Sequence, residues 1–271
     1  MSKLELMCIT NDCKLAKQAD KSGVDYIFVD LELLGKELRQ GHLDTVISKH
    51  GIEDVGKIRK VVSNSKLLVR VNPINDDSLY EIESVINYGA DIIMLPYFKS
   101  KEDVEAIVKL VRGRVKIILL LENKEAVEDI DRIIDLKDSY EAIHIGLNDL
   151  HLSYKLNFMF EPFVNGIVDD LVNKFRSNDI KFGIGGVAEI GKGDIPAELV
   201  LNEHFKLGSR MCILSRSFSQ RDKYDNEAEF LISYSKKVQG LRDYWNRIVD
   251  TQVNDDSEHF RKLILNKVNP K

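Results

Sequence analysis

The sequence predicts a closed (β/α)8 TIM barrel with a C-terminal helical extension. Three observations predict it. Eight short apolar bursts, rich in Ile, Val and Leu, recur along the chain, as parallel strands buried on both faces require. Charged stretches with a helical period separate most of them, so strand and helix alternate. The first burst is followed by no glycine-rich dinucleotide turn, which argues against the alternative of an open doubly wound sheet.

In chain order the strand candidates are "LELMCIT", "VDYIFVDLE", "KLLVRVN", "DIIMLP", "VKIILLLE", "EAIHIG", "IKFGIGG" and "RMCILS". Between them, "DDSLYEIESVINYG" puts Leu79, Ile82, Val85 and Ile86 on one stripe, with Gly89 supporting termination. "SKEDVEAIVKLVRG" aligns Val104, Ile107, Val108 and Val111 behind Ser100 as N-cap, with Asp103 three residues on. "NKEAVEDIDRIIDL" repeats the stripe with Val127, Ile130, Ile133 and Ile134. The "GIGG" at Gly183 to Gly186 is no nucleotide fingerprint and permits a tight backbone path. Residues 1–220 make the barrel core. Residues 221–271 hold a final helix and an extension, with Phe230, Leu231, Tyr234, Val238, Leu241 and Trp245 as the buried stripe. That extension packs on the barrel or on a sister subunit. "LNFMFEPF" reads as a lid, a subunit contact or an internal packing segment.

With 44% hydrophobic residues, the 271-residue chain supports one substantial core. The net charge of -5 gives no concentrated basic surface for nucleic acid. Three cysteines form no disulfide framework, and no apolar run reaches the roughly 20 residues of a membrane span. No signal-peptide core opens the chain, so a cytoplasmic protein is the expectation.

A barrel brings the C-terminal ends of its strands to one mouth. Asp30, Glu32, Arg70, Glu122 and Asp149 all fall at such ends. Glu122 and Asp149 suit a hard divalent cation, and equally a helix cap or a solvent ion pair. Arg70 offers a planar fork to a carboxylate or phosphate, or a salt bridge to a barrel acid. Asn72 adds a neutral donor or caps the turn before Pro73. Asn148 belongs to the polar cluster that ends "AIHIGLNDLHLSYK" and is a candidate substrate contact. Lys36 and Arg39 lie one helical turn apart and with Gln40 form a candidate anion clamp, or an exposed face balanced by Glu37. His50 and His151 are the candidate proton-transfer groups, because imidazole titrates near neutrality. Ser153 lacks the context of a hydrolase nucleophile. Glu203 and His204 either cap the last unit or approach the mouth, and Arg210 and Arg216 are either anion contacts or surface or ring ion pairs. Lys116 and Lys181 fall at strand beginnings, away from it.

The order "GVDYIFVDLE", "LLVRVNP", "GADIIMLP", "LLLEN", "IGLNDL" resembles the 2-keto-3-deoxy acid aldolase and citrate-lyase beta-subunit family over about the first 220 residues. That resemblance implies a barrel of the phosphoenolpyruvate/pyruvate-binding type and a metal-dependent carbon–carbon lyase that acts through an enolate. It makes Arg70 the carboxylate and enolate clamp, and Glu122 and Asp149 the ligands of Mg2+ or Mn2+. The implied substrate is a small acid, free or phosphorylated, and the implied assembly is a homo-oligomer. Two positions depart from the family pattern. Leu33 follows Glu32 where the family has a proton-transfer histidine, and Asn123 replaces the threonine after Glu122. The Lys36–Arg39–Gln40 cluster resembles a branch found among cell-surface polysaccharide biosynthesis proteins. These departures leave open a non-aldol enzyme on an activated or phosphorylated acid, and a barrel that binds ligand without catalysis.

Overall fold

Each of the eight apolar bursts supplies one stave of a barrel in the computed structural model, which describes residues 3–35, 50–251 and 256–269. The strands are β1 (Glu5–Ile9), β2 (Tyr26–Asp30), β3 (Lys66–Arg70), β4 (Ile92–Leu95), β5 (Lys116–Leu121), β6 (Ala142–Ile145), β7 (Phe182–Ile184), β8 (Gly186–Val187) and β9 (Met211–Leu214). All neighbours pair in parallel, in the order β7-β6-β5-β4-β3-β2-β1-β9-β8.

Nine strands make eight staves because β7 and β8 are one stave, interrupted at Gly185. Gly185 has φ +45, and its two backbone groups face opposite neighbours. Its N–H donates to the Ile145 carbonyl (2.7 Å), and its own carbonyl accepts from the Ile213 N–H (3.1 Å). The Arg210 N–H reaches the Phe182 carbonyl (3.0 Å) and the Ser215 N–H reaches that of Val187 (2.9 Å), which closes the ring. Gly183 is required by the same closure. A Cβ there would lie 2.5 Å from His144 Nδ1 and 2.6 Å from both the Cβ and the carbonyl oxygen of Met211.

Strand side chains alternate between lumen and helix layer. Met7, Phe28, Leu68, Ile92, Met94, Ile118, Leu120, Ala142 and Met211 fill the lumen. The intervening residues join the larger core beneath the helices. This alternation matters for the site. Asp30, Arg70, Glu122 and His144 each stand two residues beyond a lumen residue, on the same side of the stave.

The helices follow the apolar stripes with two informative exceptions. The stripe that begins at Leu79 starts later, at Ile82, because Leu79 lies in the first turn of helix Ser78–Asn87 and is half exposed. The stripe at Val127 to Ile134 makes two helices, Lys124–Glu128 and Ile130–Ile134, instead of one. They break at Asp129, whose carboxylate accepts the N–H of Lys101 (2.7 Å) at the start of the neighbouring helix Lys101–Val111. The break thus coincides with a tertiary contact to a segment 28 residues away. In Lys101–Val111 the N-cap is Ser100, and the Asp103 carboxylate accepts the Lys99 N–H (2.8 Å).

The C-terminal helix Glu227–Thr251 buries Phe230, Tyr234, Val238, Leu241 and Trp245, and extends the stripe to Ile248. Leu231 is only half buried. Gln18 on helix Cys13–Lys21 donates to the Ser235 hydroxyl (2.6 Å), which ties this helix to the first barrel helix. The last helix, Ser257–Val268, sets Phe260 edge-on to Phe163 at 5.2 Å. "LNFMFEPF" therefore packs against the chain's own C-terminal helix. No helix among the described residues is long and apolar enough to cross a membrane.

Candidate active site at the barrel mouth

The mouth is organised around Arg70. Its Nε and Nη2 donate to the two oxygens of Asp30, both at 2.8 Å, in a bidentate pair. Glu32 Oε2 lies 3.4 Å from the same Nε. Asp30 and Glu32 are almost wholly buried and Arg70 nearly so. Its guanidinium also sits 5.5 Å from the centre of the Phe28 ring. Of the two alternatives read from the sequence, the salt bridge to a barrel acid is present. The inner edge of the fork is committed to a barrel acid, so a ligand carboxylate must approach by the Nη1 edge.

Glu122 follows β5 and is buried. Its Oε1 accepts the Tyr97 backbone N–H at 3.0 Å. Its Oε2 lies beside Gly146, the residue that ends β6 and caps helix Leu147–Ser153. A Cβ on Gly146 would fall 3.0 Å from both Glu122 Cβ and Oε2. Asp149, also buried, stands in the first turn of that short helix. Gly146 therefore adjoins one acid in space and precedes the other by three residues. The absence of a methyl lets the Gly146 backbone approach the Glu122 carboxylate closely. Two buried carboxylates supply the hard oxygen donors that Mg2+ or Mn2+ prefers, with water and substrate oxygens for the rest of the shell. No group of three or more His, Cys, Asp or Glu suited to a metal occurs among the described residues.

His50 joins this group through Asp30. The Asp30 N–H donates to His50 Nδ1 at 2.9 Å. An Nδ1 that accepts a hydrogen bond fixes the neutral ring as the Nε2–H tautomer. His50 is then a hydrogen-bond donor, and its basic lone pair is already occupied. His151 is placed differently. Its Nδ1 donates to the Leu147 carbonyl one turn earlier (3.2 Å). Positions 149 and 151 are two apart on the helix, so His151 and Asp149 do not share a face.

Asn72 is held by the chain itself. Its Oδ1 accepts the N–H groups of Leu33 (2.9 Å) and Leu34 (3.0 Å), and its Nδ2 donates to Glu81 (2.7 Å) and to the Leu31 carbonyl (3.2 Å). Those four bonds exhaust a carboxamide. Asn72 pins the loop after β2 and has no donor left for substrate. Asn123 is likewise consumed, as the N-cap of Lys124–Glu128 and as a donor to the Phe98 carbonyl (2.7 Å). Asn148 is half buried, and its side chain makes no hydrogen bond among the described residues. Ser153 accepts the Lys124 N–H (2.8 Å) and couples the loops that carry Glu122 and Asp149. The Lys36, Arg39 and Gln40 clamp, with His42, lies outside the described residues.

Other polar candidates serve packing. Glu203 accepts a bond from Ser257 (2.6 Å), and His204 pairs with the Ser209 hydroxyl (3.0 Å). Burial pushes His204 down to about 3. Arg210, at the start of β9, stacks on Phe205 and Trp245 at 5.9 and 5.8 Å. Arg216 is exposed just beyond the end of β9. Lys181 and Lys116 pair with Glu5 (2.8 Å) and Glu141 (3.1 Å) at the strand beginnings, away from the mouth as expected.

Two groups escaped the sequence reading. Tyr97 lies just beyond the "DIIMLP" strand candidate, and nothing in "MLPYF" announces its amide as a partner of Glu122. His144 is wholly buried in the lumen, and its Nε2–H donates to the Gly185 carbonyl (3.0 Å). Burial first, then the Arg70 charge, lower its pKa to about 4, so the ring is neutral. Its two-residue offset from Ala142 was the available signal.

The profile of the HpcH/HpaI aldolase/citrate lyase family matches residues 6–159, more than half of the chain. The chain belongs to this family. Its fold is shared by an HpcH/HpaI aldolase from Desulfitobacterium hafniense DCB-2, at TM-score 0.62 and 16% identity, over 89% of this chain and 93% of that one. An HpcH/HpaI aldolase/citrate lyase family protein from Burkholderia cenocepacia J2315 aligns with TM-score 0.62 and 13% identity, over 82% and 92% of the respective chains. No curated protein sequence matches. Membership supports a lyase-type activity in general. The matched segment contains Arg70, Glu122 and Asp149.

Proposed function

We propose that this HpcH/HpaI family member is a metal-dependent carbon–carbon lyase or aldolase acting on a small 2-keto acid through an enolate. The observation that carries the reading is the burial of Glu122 and Asp149 just beyond β5 and β6, with Glu122 Oε2 beside Gly146, which precedes Asp149 by three residues. Glu122 and Asp149 would hold Mg2+ or Mn2+. A cation there would supply Lewis-acid stabilisation of negative charge developing on the substrate. Arg70 would bind the substrate carboxylate by its outer edge, while Asp30 and Glu32 keep the guanidinium fixed. His50, as the Nε2–H tautomer, would donate to a substrate oxygen and not remove a proton. Asn148 is the neutral contact, and the Lys36, Arg39 and Gln40 set would bind a distal acid or phosphate.

The test is exchange of pyruvate methyl protons in deuterated water with Mg2+ present, followed by proton NMR. Exchange well above the protein-free rate is expected. Absence of exchange at saturating pyruvate would overturn the enolate reading.

Leu33 favours a second reading, because this apolar residue is half exposed where the family places its proton-transfer histidine. In that reading the barrel performs metal-assisted, non-aldol chemistry on a phosphorylated acid in surface-polysaccharide biosynthesis, or binds such an acid without turnover. Tight binding of a phosphorylated keto acid without methyl exchange is its expected signature.

A further inference from the structure

Tyr97 carries a backbone conformation that its side chain does not favour. Its φ is +47, in the left-handed region that bulky residues rarely enter. It follows Pro96 at the end of β4, a turn position where glycine or asparagine ordinarily supplies positive φ. Strain of this kind persists only when the surroundings hold it, and it gathers at functional sites. Here the consequence is specific. The left-handed turn aims the Tyr97 N–H at Glu122 Oε1, 3.0 Å away.

Glu122 thus has two unlike oxygens. Oε1 is engaged by a fixed backbone dipole. Oε2 lies on the Gly146 side, 3.0 Å from where a Cβ would stand, toward the helix that carries Asp149. A free carboxylate swaps such oxygens by rotating about its terminal torsion, and an N–H bond to one of them stops that rotation. We propose that Tyr97 is a positioning residue for the candidate cation: its strained backbone holds the Glu122 carboxylate in one rotamer, with Oε1 on the amide and Oε2 toward Gly146. The proposal rests on the metal reading given above. It assigns the effect to the backbone, so the phenol ring is dispensable for it.

Replacement of the residue 97 amide by an ester, using the α-hydroxy analogue of tyrosine, removes the N–H and keeps the ring. Manganese affinity, read by electron paramagnetic resonance titration, should fall about 10–100-fold, the range for losing a partner that orients a metal ligand. Tyr97→Gly keeps the N–H and accepts positive φ, so its affinity should stay within about threefold of wild type, as should that of Tyr97→Phe. Unchanged affinity in a folded ester variant would overturn the proposal and leave the metal reading intact. Absence of Mn2+ binding by the wild type would overturn both. NMR of the wild type needs no folding of a variant. The Tyr97 amide proton should resonate far downfield and shift on Mg2+ addition; Glu122→Gln, which keeps a neutral acceptor, should reduce the downfield shift and abolish the response to Mg2+. An amide resonance indifferent to Mg2+ and to that substitution would also overturn the proposal.

Discussion

Arg70→Ala is expected to lower the unfolding free energy by roughly 3–5 kcal/mol and kcat/KM by about two to three orders of magnitude. The stability loss follows from what the substitution leaves behind. Asp30 is 1% and Glu32 0% exposed, and the bidentate Arg70 pair compensates the first of them directly. Removing one partner of a buried pair strands the other charge, which costs more than the pair contributes. Arg70→Ala combined with Asp30→Asn should therefore recover part of the loss. Urea denaturation of the two single variants and the double variant measures that coupling. Additive losses would show that other contacts, not Arg70, compensate Asp30. The activity loss would have a separate origin in the proposed function, where the outer edge of the guanidinium receives the substrate carboxylate. Arg70→Lys keeps the charge but not the fork, and should restore stability more than turnover.

Gly146→Ala is the second large effect, and it separates site from fold. The φ of −87 at Gly146 suits any residue, so the backbone does not oppose alanine. The added methyl would sit 3.0 Å from Glu122 Cβ and Oε2 and 3.1 Å from Leu120 Cδ1. The carboxylate must give way. Manganese affinity and keto-acid turnover should each fall by at least about tenfold, while overpacking lowers stability by about 1–3 kcal/mol. Calorimetric Mn2+ titration and a thermal melt on the same preparation check both parts. Full metal affinity in Gly146→Ala would place the cation away from the Glu122 oxygen next to this glycine.

The barrel was legible because its signal is repeated. Eight apolar bursts at strand length, each followed by charge, leave few other architectures, and each burst proved to be a stave. Gly183 and Gly185 were read as permitting a tight path, and they stand where the last staves close. What escaped depended on contacts between distant segments. The helix predicted over Val127 to Ile134 breaks where Asp129 finds the Lys101 N–H, a partner 28 residues away. Asn72 looked like a substrate donor because its four partners come from Leu31, Leu33, Leu34 and Glu81, and only folding brings them together. Arg70 was legible as either a clamp or a salt bridge, and folding commits its Nε–Nη2 edge to Asp30, which is the salt bridge. His50 was legible as a titratable group. Its tautomer was not, because that is set by the Asp30 amide. Positive φ at Tyr97 has no sequence signature, since tyrosine is not the residue such a turn selects.

The central claim is that Glu122 and Asp149 hold one divalent cation beside Arg70. Electron paramagnetic resonance titration of Mn2+ into the wild type, Glu122→Gln and Asp149→Asn tests it most directly. About one tight site per wild-type chain is expected, with its loss in both folded variants. Wild-type affinity retained in either variant would contradict it.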